Sequence, residues 1–376
     1  DRLNEITLSN AASLESSGNS GGRVSIRGGF VSLIDGSAIL TDTLGDGTGG
    51  SLTIEAEETE IYGVAENGFT SSLFTNVDLG ATGNGGDALI DTGYLYIGDG
   101  AQVNVNTFGL GNAGTLTVKA GDIEILGGSL DGDFPSGLFA QADIGETGVG
   151  GDINIEADYL LVADGAQIST TTFGEANAGT LTVKANEIEL IAGSRDYGSS
   201  GLFANADFDS TGNGGNIFIE SDYLYIADGA QTIAATFGEG DSGNVSVETH
   251  TIELVGTSPG GTPSGMFSTV EAEAMGNGGS LEINTTNLYV VDGAQVAAST
   301  RGSGDSGVLD IQADNVELNG VSDFGASGLF SNAIVSDGNG GDINLNSDRL
   351  FVIDGATISA SNFSSRNPDI PAGTGA

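Results

Sequence analysis

"YLYIADGAQ", residues 223–231, decides how this chain is read, because close versions recur along its whole length. The same slot holds "FVSLIDGSA" from Phe30, "YLYIGDGAQ" from Tyr94, "YLLVADGAQ" from Tyr159, "NLYVVDGAQ" from Asn287 and "RLFVIDGAT" from Arg349. Leu224 and Ile226 alternate with Tyr223 and Tyr225, the period-two pattern of a half-buried strand. The Asp-Gly pair that follows is a turn: glycine accepts positive φ, and aspartate bonds its own following backbone.

Outward from this phrase the period becomes plain. Paired glycines stand at Gly85 and Gly86, Gly150 and Gly151, Gly214 and Gly215, Gly278 and Gly279, and Gly340 and Gly341, at intervals of 65, 64, 64 and 62 residues. A second start divides each unit: "AGTLTVKA" from Ala113 and again from Ala178, "SGNVSVET" from Ser242, "SGVLDIQA" from Ser306. Each unit is therefore two coils, of about 28 and about 36 residues. A coil such as "GGDINIEADYLLVADGAQISTTTFG", from Gly150, reads as three short strands with a turn at each corner, and no segment keeps a helical period. Three strands repeated in one register describe an all-β, parallel β-helix, in which each strand pairs with its equivalent one coil later. Parallel crossovers are overwhelmingly right-handed, so this solenoid is expected to be right-handed as well. Eleven coil starts between Gly22 and Gly341, stacked at the ~4.8 Å strand spacing, give a rod on the order of 50 Å long.

Residues 1–376 thus form one continuous repeat array. Its interior is expected to hold aliphatic columns such as Leu95, Leu160, Leu224, Leu288 and Leu350. A surface column is expected as well, running Arg27, Glu55, Asp91, Lys119, Glu156, Lys184, Glu220, Glu248, Asn284, Gln312, Asn346, with the scarce cations placed between acids. Both ends cut the repeat out of phase: "LNEITLSNAASLESSGN", from Leu3, reads as the last two strands of a coil, and "PAGTGA" stands where a first strand is due. A piece of a longer array and end-to-end self-association both fit that phase.

Composition narrows function. The chain has 52 acidic residues against nine Lys and Arg, a net charge of −43, so it lacks the basic footprint that nucleic acid requires. Anionic membrane surfaces repel such a chain, and no apolar run is long enough to insert into a bilayer. With no cysteine and a single histidine, His250, disulfides, thiolate metal sites and histidine catalysis are set aside. No cofactor is implied; diffuse calcium binding by acidic loops is the one cation interaction the charge leaves open.

Several patterns carry possible chemistry. Gly109, Gly111 and Gly114 fit GxGxxG, as do Gly238, Gly240, Gly243 and Gly302, Gly304, Gly307, yet each copy runs into a strand and not a helix, so these read as corner turns. Asp35, Asp99, Asp164, Asp228, Asp292 and Asp354 resemble a ladder for calcium, but alternate coils place residues such as Ala192 between them. Their spacing of two rungs, ~9.6 Å, is too wide for one ion, and they read as turn residues. The most informative surface is the outer side of the second strand. Odd coils place Tyr94, Tyr96, Tyr159, Tyr223, Tyr225 and Tyr289 there, then Phe351; even coils place Asp122, Glu124, Glu187, Glu189, Glu253 and Glu317. Rings and acceptors in stripes form a candidate glycan-binding face, although tyrosine also favours strands and shields the backbone beneath it. A second aromatic column, Phe74, Phe139, Phe203, Phe267 and Phe330, alternates with Leu73, Leu138, Leu202, Met266 and Leu329, and sequence does not say which of the two is inside. A polysaccharide-active enzyme is the distant alternative: a carboxylate pair at the glycosidase distance arises by chance among so many acids, and the NTD, DD, GHG and RIK cues of polygalacturonase-like enzymes are missing. Ice binding by "STTT" at Ser169 is weaker still, because no threonine array continues in neighbouring coils.

"GNGGSLEINTTNLYVVDGAQVAASTRGSGDSG" and "GNAGTLTVKAGDIEILGG" resemble the repeats of filamentous-haemagglutinin-like exoproteins of two-partner secretion, particularly the long cyanobacterial kind. The resemblance covers essentially the whole chain. It implies a right-handed β-helical passenger, exported through an outer-membrane β-barrel transporter partner and displayed at the cell surface or released as an adhesive or structural fibre. Glycans or other surface polymers are the partners it implies outside the cell. The NPNG-like or NPNL-like secretion motif and the RGD tripeptide of some members are not seen, so transporter recognition is not placed on these residues.

Overall fold

A computed structural model of the chain describes residues 4–66, 68–130, 132–143, 147–192, 199–334 and 338–363. Among these every regular element is a strand, and the strands form a parallel β-helix dominated by a 14-stranded and a 12-stranded sheet. Ile153–Ala163 pairs in parallel with Leu181–Ile191, which pairs with Ile217–Ala227, and the ladder continues through Val245–Val255, Leu281–Val291, Leu309–Asn319 and Ile343–Ile353. Ile155 sits beside Val183 and Val183 beside Ile219, the alternating short and long steps read from the glycine period. Glu5–Leu8 and Ser13–Glu15 pair with Phe30–Ile34 and Ala38–Leu40, so they occupy second-strand and third-strand positions. The "PAGTGA" stretch lies outside the described residues.

The coil differs from three separate strands in one respect. Its first two strands usually run together as one bent strand: in Ile153–Ala163 the large buried side chains are Ile153 and Ile155, then Leu160 and Val162. The phase slips at Asp158, which drops out of the ladder although Ala157 and Tyr159 are both paired. One unpaired residue is enough to turn the corner while the backbone stays extended. The strand divides at this bend in two coils, between Arg23–Arg27 and Phe30–Ile34 across Gly28 and Gly29, and between Leu116–Lys119 and Asp122–Leu126 across Gly121, whereas Asp87–Gly98 runs through Gly93 unbroken.

The second corner is the Asp-Gly turn. Asp35, Asp99, Asp164, Asp228, Asp292 and Asp354 all have φ between 52° and 57°, and each following glycine is also positive. A left-handed pair is the geometry that aspartate and glycine tolerate best. The turn is tied to the next coil by a buried serine that the sequence reading did not single out: Gly165 donates its N–H to Ser200 Oγ at 2.8 Å, as do Gly229 to Ser264 and Gly293 to Ser327. Ser264 and Ser327 in turn donate to the carbonyls of Val255 and Asn319 at 2.7 Å, so each of these hydroxyls both accepts and donates.

The third corner explains the remaining glycines. Gly22, Gly50, Gly86, Gly114, Gly151, Gly179, Gly215, Gly243, Gly279, Gly307 and Gly341 form a column in which a Cβ would meet the carbonyl oxygen of the preceding member at 1.7–2.1 Å. None of them needs a positive φ. The constraint is the close approach of one coil's backbone to the next. Beside it, Asn84 Oδ1 accepts the N–H of Asn112, Asn213 that of Asp241, and Asn277 that of Asp305, which satisfies corner amides that no strand reaches. A parallel ladder runs Asp42, Asn76, Asn106.

Aliphatic columns fill the interior. Leu95, Leu160, Leu224 and Leu288 are fully buried, whereas Leu350, in the last described long strand, is 44 % exposed. Leu73, Leu138, Leu202, Met266 and Leu329 are the inward members of the short sheet, so the phenylalanines beside them lie on its outer face. The surface charge column has the expected register, with Arg27 paired to Glu55 at 3.1 Å, Lys119 to Glu156 at 3.0 Å, and Lys184 to Glu220. Exposed pairs of this kind contribute about 0 to 1 kcal/mol each. Ser169, Thr170, Thr171 and Thr172 are all buried, which removes the ice-binding face.

Gly243→Ala is expected to lower the melting temperature strongly, by the equivalent of about 1 to 3 kcal/mol or more, because its Cβ would stand 1.7 Å from Gly215 O. Gly260→Ala, with its nearest neighbour at 3.6 Å, is the control expected to be silent in the same circular-dichroism melt. Asp42 is the charged member of an otherwise neutral ladder, and burial pushes its carboxyl up to about 6, with Asp78 and Glu15 adding to the rise against the opposing bond from Asn76. The neutral form is thus preferred in the fold, so the stabilisation present at low pH is lost as pH rises through about 6. Asp42→Asn should raise stability at pH 8, on the order of 1 kcal/mol, and change little at pH 4; equal shifts at both pH values would contradict this.

Candidate ligand face

The tyrosines and carboxylates of the striped wall all fall on one outer surface, the second half of the long sheet. Tyr94, Asp122, Tyr159, Glu187 and Tyr223 are successive members of one column. Two residues further along the strands, Tyr96, Glu124, Leu161, Glu189, Tyr225, Glu253 and Tyr289 form a second, continued by Glu317 and Phe351. Period-two alternation places both columns outward, and the inward neighbours Leu160, Val162, Leu224 and Ile226 hold the strands in place.

The two columns are tied diagonally. Tyr159 Oη donates to Glu189 Oε2 at 2.8 Å, across to the second column and up one coil. Tyr94 is bonded to Glu124 and Tyr223 to Glu253 in the same way, each acid thirty residues further along the chain. Burial, then the charge of Glu124 and the bond to it, pushes the Tyr94 phenol up to about 12. Burial, then the bond to Glu253, pushes Tyr223 up to about 12 as well. Tyr159 is raised further by burial and by Glu189. Tyr96 and Tyr225 are raised by burial and then by Asp99 and Asp228, the turn aspartates of their own coils. The rings of Tyr223 and Tyr225 are stacked, with centroids 6.5 Å apart and planes 6° from parallel, and Tyr96 meets Tyr62 edge-on at 6.0 Å. The rings are half-buried throughout.

The arrangement therefore retains a flat, half-exposed aromatic strip, while three of its phenol protons are already given to three of its carboxylates. Glu187 remains exposed between Tyr159 and Tyr223. An open groove of about 960 Å³ lies elsewhere, in the bend of the long strand, lined by Lys119, Glu156, Lys184, Glu220, Glu248 and His250. Sequence reading had placed most of these in a column without foreseeing that the bend makes it concave. Among the described residues no group of three or more His, Cys, Asp or Glu is placed to hold a metal ion, and no helix is long and apolar enough to cross a membrane. Comparison with family models, with curated proteins and with solved structures finds no match to this chain.

Spectrophotometric titration of the phenols should show Tyr94, Tyr159 and Tyr223 ionising well above the ordinary value of about 10. Glu189→Gln should bring Tyr159 down toward that value and leave Tyr94 unaffected. Because a raised phenol pKa stabilises the fold below the ordinary value and that contribution is lost as pH rises toward and through the folded one, wild type, in which Glu189 holds Tyr159 higher, should lose stability more steeply than the variant as pH rises above about 10.

Proposed function

We propose that this chain is a secreted or cell-surface structural module of an adhesive extracellular filament, and that it carries no catalysis. The observation that supports the reading best is the diagonal bonding of Tyr94, Tyr159 and Tyr223 to Glu124, Glu189 and Glu253. A wall built to bind sugar hydroxyls needs free donors and acceptors, whereas here the phenols of Tyr94, Tyr159 and Tyr223 are committed to the next coil. Repeated in three successive two-coil units, the same bond works as a cross-brace along that part of the rod. The strong negative charge keeps such a rod soluble and free of nucleic acid. In the filamentous-haemagglutinin-like scheme that the repeats resemble, an outer-membrane transporter would deliver it to the cell exterior, and a cysteine-free chain suits passage before folding.

A second reading is favoured by the half-exposed, parallel rings of Tyr223 and Tyr225: a glycan-binding adhesin that stacks sugars on the aromatic strip without using the phenols. A glycan array separates the two. On the structural reading, Tyr94, Tyr159 and Tyr223 replaced together by Ser leave every array signal unchanged and lower thermal stability; selective binding that this variant loses, with its β-sheet spectrum intact, would establish the adhesin instead.

A further inference from the structure

The outer face of the short sheet carries a built pocket that the tyrosine wall does not touch. Its floor is the phenylalanine column, in which Phe267, Ala297 and Phe330 are successive rungs, after Phe203, Ile233 and Phe267. Ala297 is the small residue between two rings, and Ser299 beside it is also small, so space opens there: a cavity of about 630 Å³. That falls inside the range of about 300–1,000 Å³ typical of small-molecule sites. Phe237 and Ile334 close one side, and the loop Gly260–Pro263 the other.

An internal repeat supplies its own control for what the fold requires. The residue after the bridging threonine is apolar in the preceding units, Leu44 and then Phe108, Phe173 and Phe237, but Arg301 at this pocket. The acid of the intervening coils is Asp78, Asp143 and Asp207, then Glu271, and then the apolar Ile334. These departures are local, and they surround one cavity. They also form a polar constellation: Glu271 Oε1 accepts from Thr269 Oγ1 at 2.8 Å, and its Oε2 faces Arg301 Nη1 at 3.4 Å. Gln231 and Gln295 line the floor, and each gives its Nε2 to a loop carbonyl, of Pro263 at 3.1 Å and of Ala326 at 3.5 Å, which leaves the amide oxygen as the acceptor for a ligand.

From this geometry we propose that the pocket between Phe267 and Phe330 binds a short neutral saccharide. A pyranose presents an apolar C–H face, which suits a floor of rings and Ala297, and a rim of hydroxyls, which suits planar amides and a fixed carboxylate–guanidinium pair. Charge selects against acidic sugars: the whole chain carries −43, and the pocket's one cation is already paired to Glu271. The site is independent of the structural role proposed above, since it uses a different face and no tyrosine.

Isothermal calorimetry of the full chain with cellotriose, maltotriose, laminaritriose and mannotriose, each at millimolar concentration, tests it. At least one should bind. Ala297→Phe, which fills the floor, and Arg301→Phe, which restores the residue of the three preceding units, should each raise its Kd by about tenfold or more, while the Tyr94, Tyr159, Tyr223 to Ser variant leaves it unchanged. Both pocket variants introduce a side chain that the same column holds elsewhere, so their β-sheet spectra should match wild type. No heat from any of the four sugars, binding undiminished in either pocket variant, or binding lost in the tyrosine variant would overturn the proposal.

Discussion

The rest of this molecule depends on the approach of one coil's backbone to the next at the glycine corner. Parallel pairing sets a rung spacing of ~4.8 Å, and a strand meets it with side chains pointing to either side. A corner has no such freedom: at Gly215, Gly243 and Gly279 a single added carbon would fall about 2 Å from the neighbouring carbonyl. Glycine there fixes the register of every coil. Register then lines up like residues, and aligned residues make interior leucine columns, amide ladders and surface stripes. The neighbouring column shows that the constraint has some tolerance, since Ala176 stands there among Gly148, Gly212 and Gly240.

Because the repeat is imposed by backbone packing, repetition on the surface is not by itself a sign of function. The tyrosines of the second strand illustrate this. Their positions follow from register, and their hydroxyls brace the next coil through Glu124, Glu189 and Glu253. The place where the surface stops repeating, around Glu271, Arg301 and Ile334, is where packing no longer accounts for the choice of residue. In a solenoid the departures from the period carry more information than the period does.

Much of the fold was legible before any coordinates. Period-two alternation gave the strands, the glycine intervals gave the step between coils, and the charge column from Arg27 to Asn346 came out rung for rung. The Asp-Gly turns were legible because two left-handed residues in sequence have few other solutions. What stayed hidden depends on three-dimensional closure. Phe and Leu alternate in "SGLF", and periodicity alone cannot say which faces in; only the direction of the coil's turn places Leu202 inside and Phe203 outside. Ser200 looked like loop composition, yet it closes the Asp-Gly turn of the preceding coil. The membership of the tyrosine face was readable, but its diagonal bonds were not, because they join positions two apart along the strand and one coil apart in height. The pocket at Ala297 was likewise invisible, since it is a gap between elements and not a motif.

The central claim is that corner packing couples each coil to its neighbours and so holds the whole array in register. Residue-resolved hydrogen exchange on Gly243→Ala beside wild type tests it most directly. Coupling between neighbours predicts that protection falls in Ile217–Ala227, Val245–Val255 and Leu281–Val291 and persists in Arg23–Arg27 and Phe30–Ile34. Protection unchanged across Val245–Val255 would contradict the claim and place the origin of the register elsewhere in the coil.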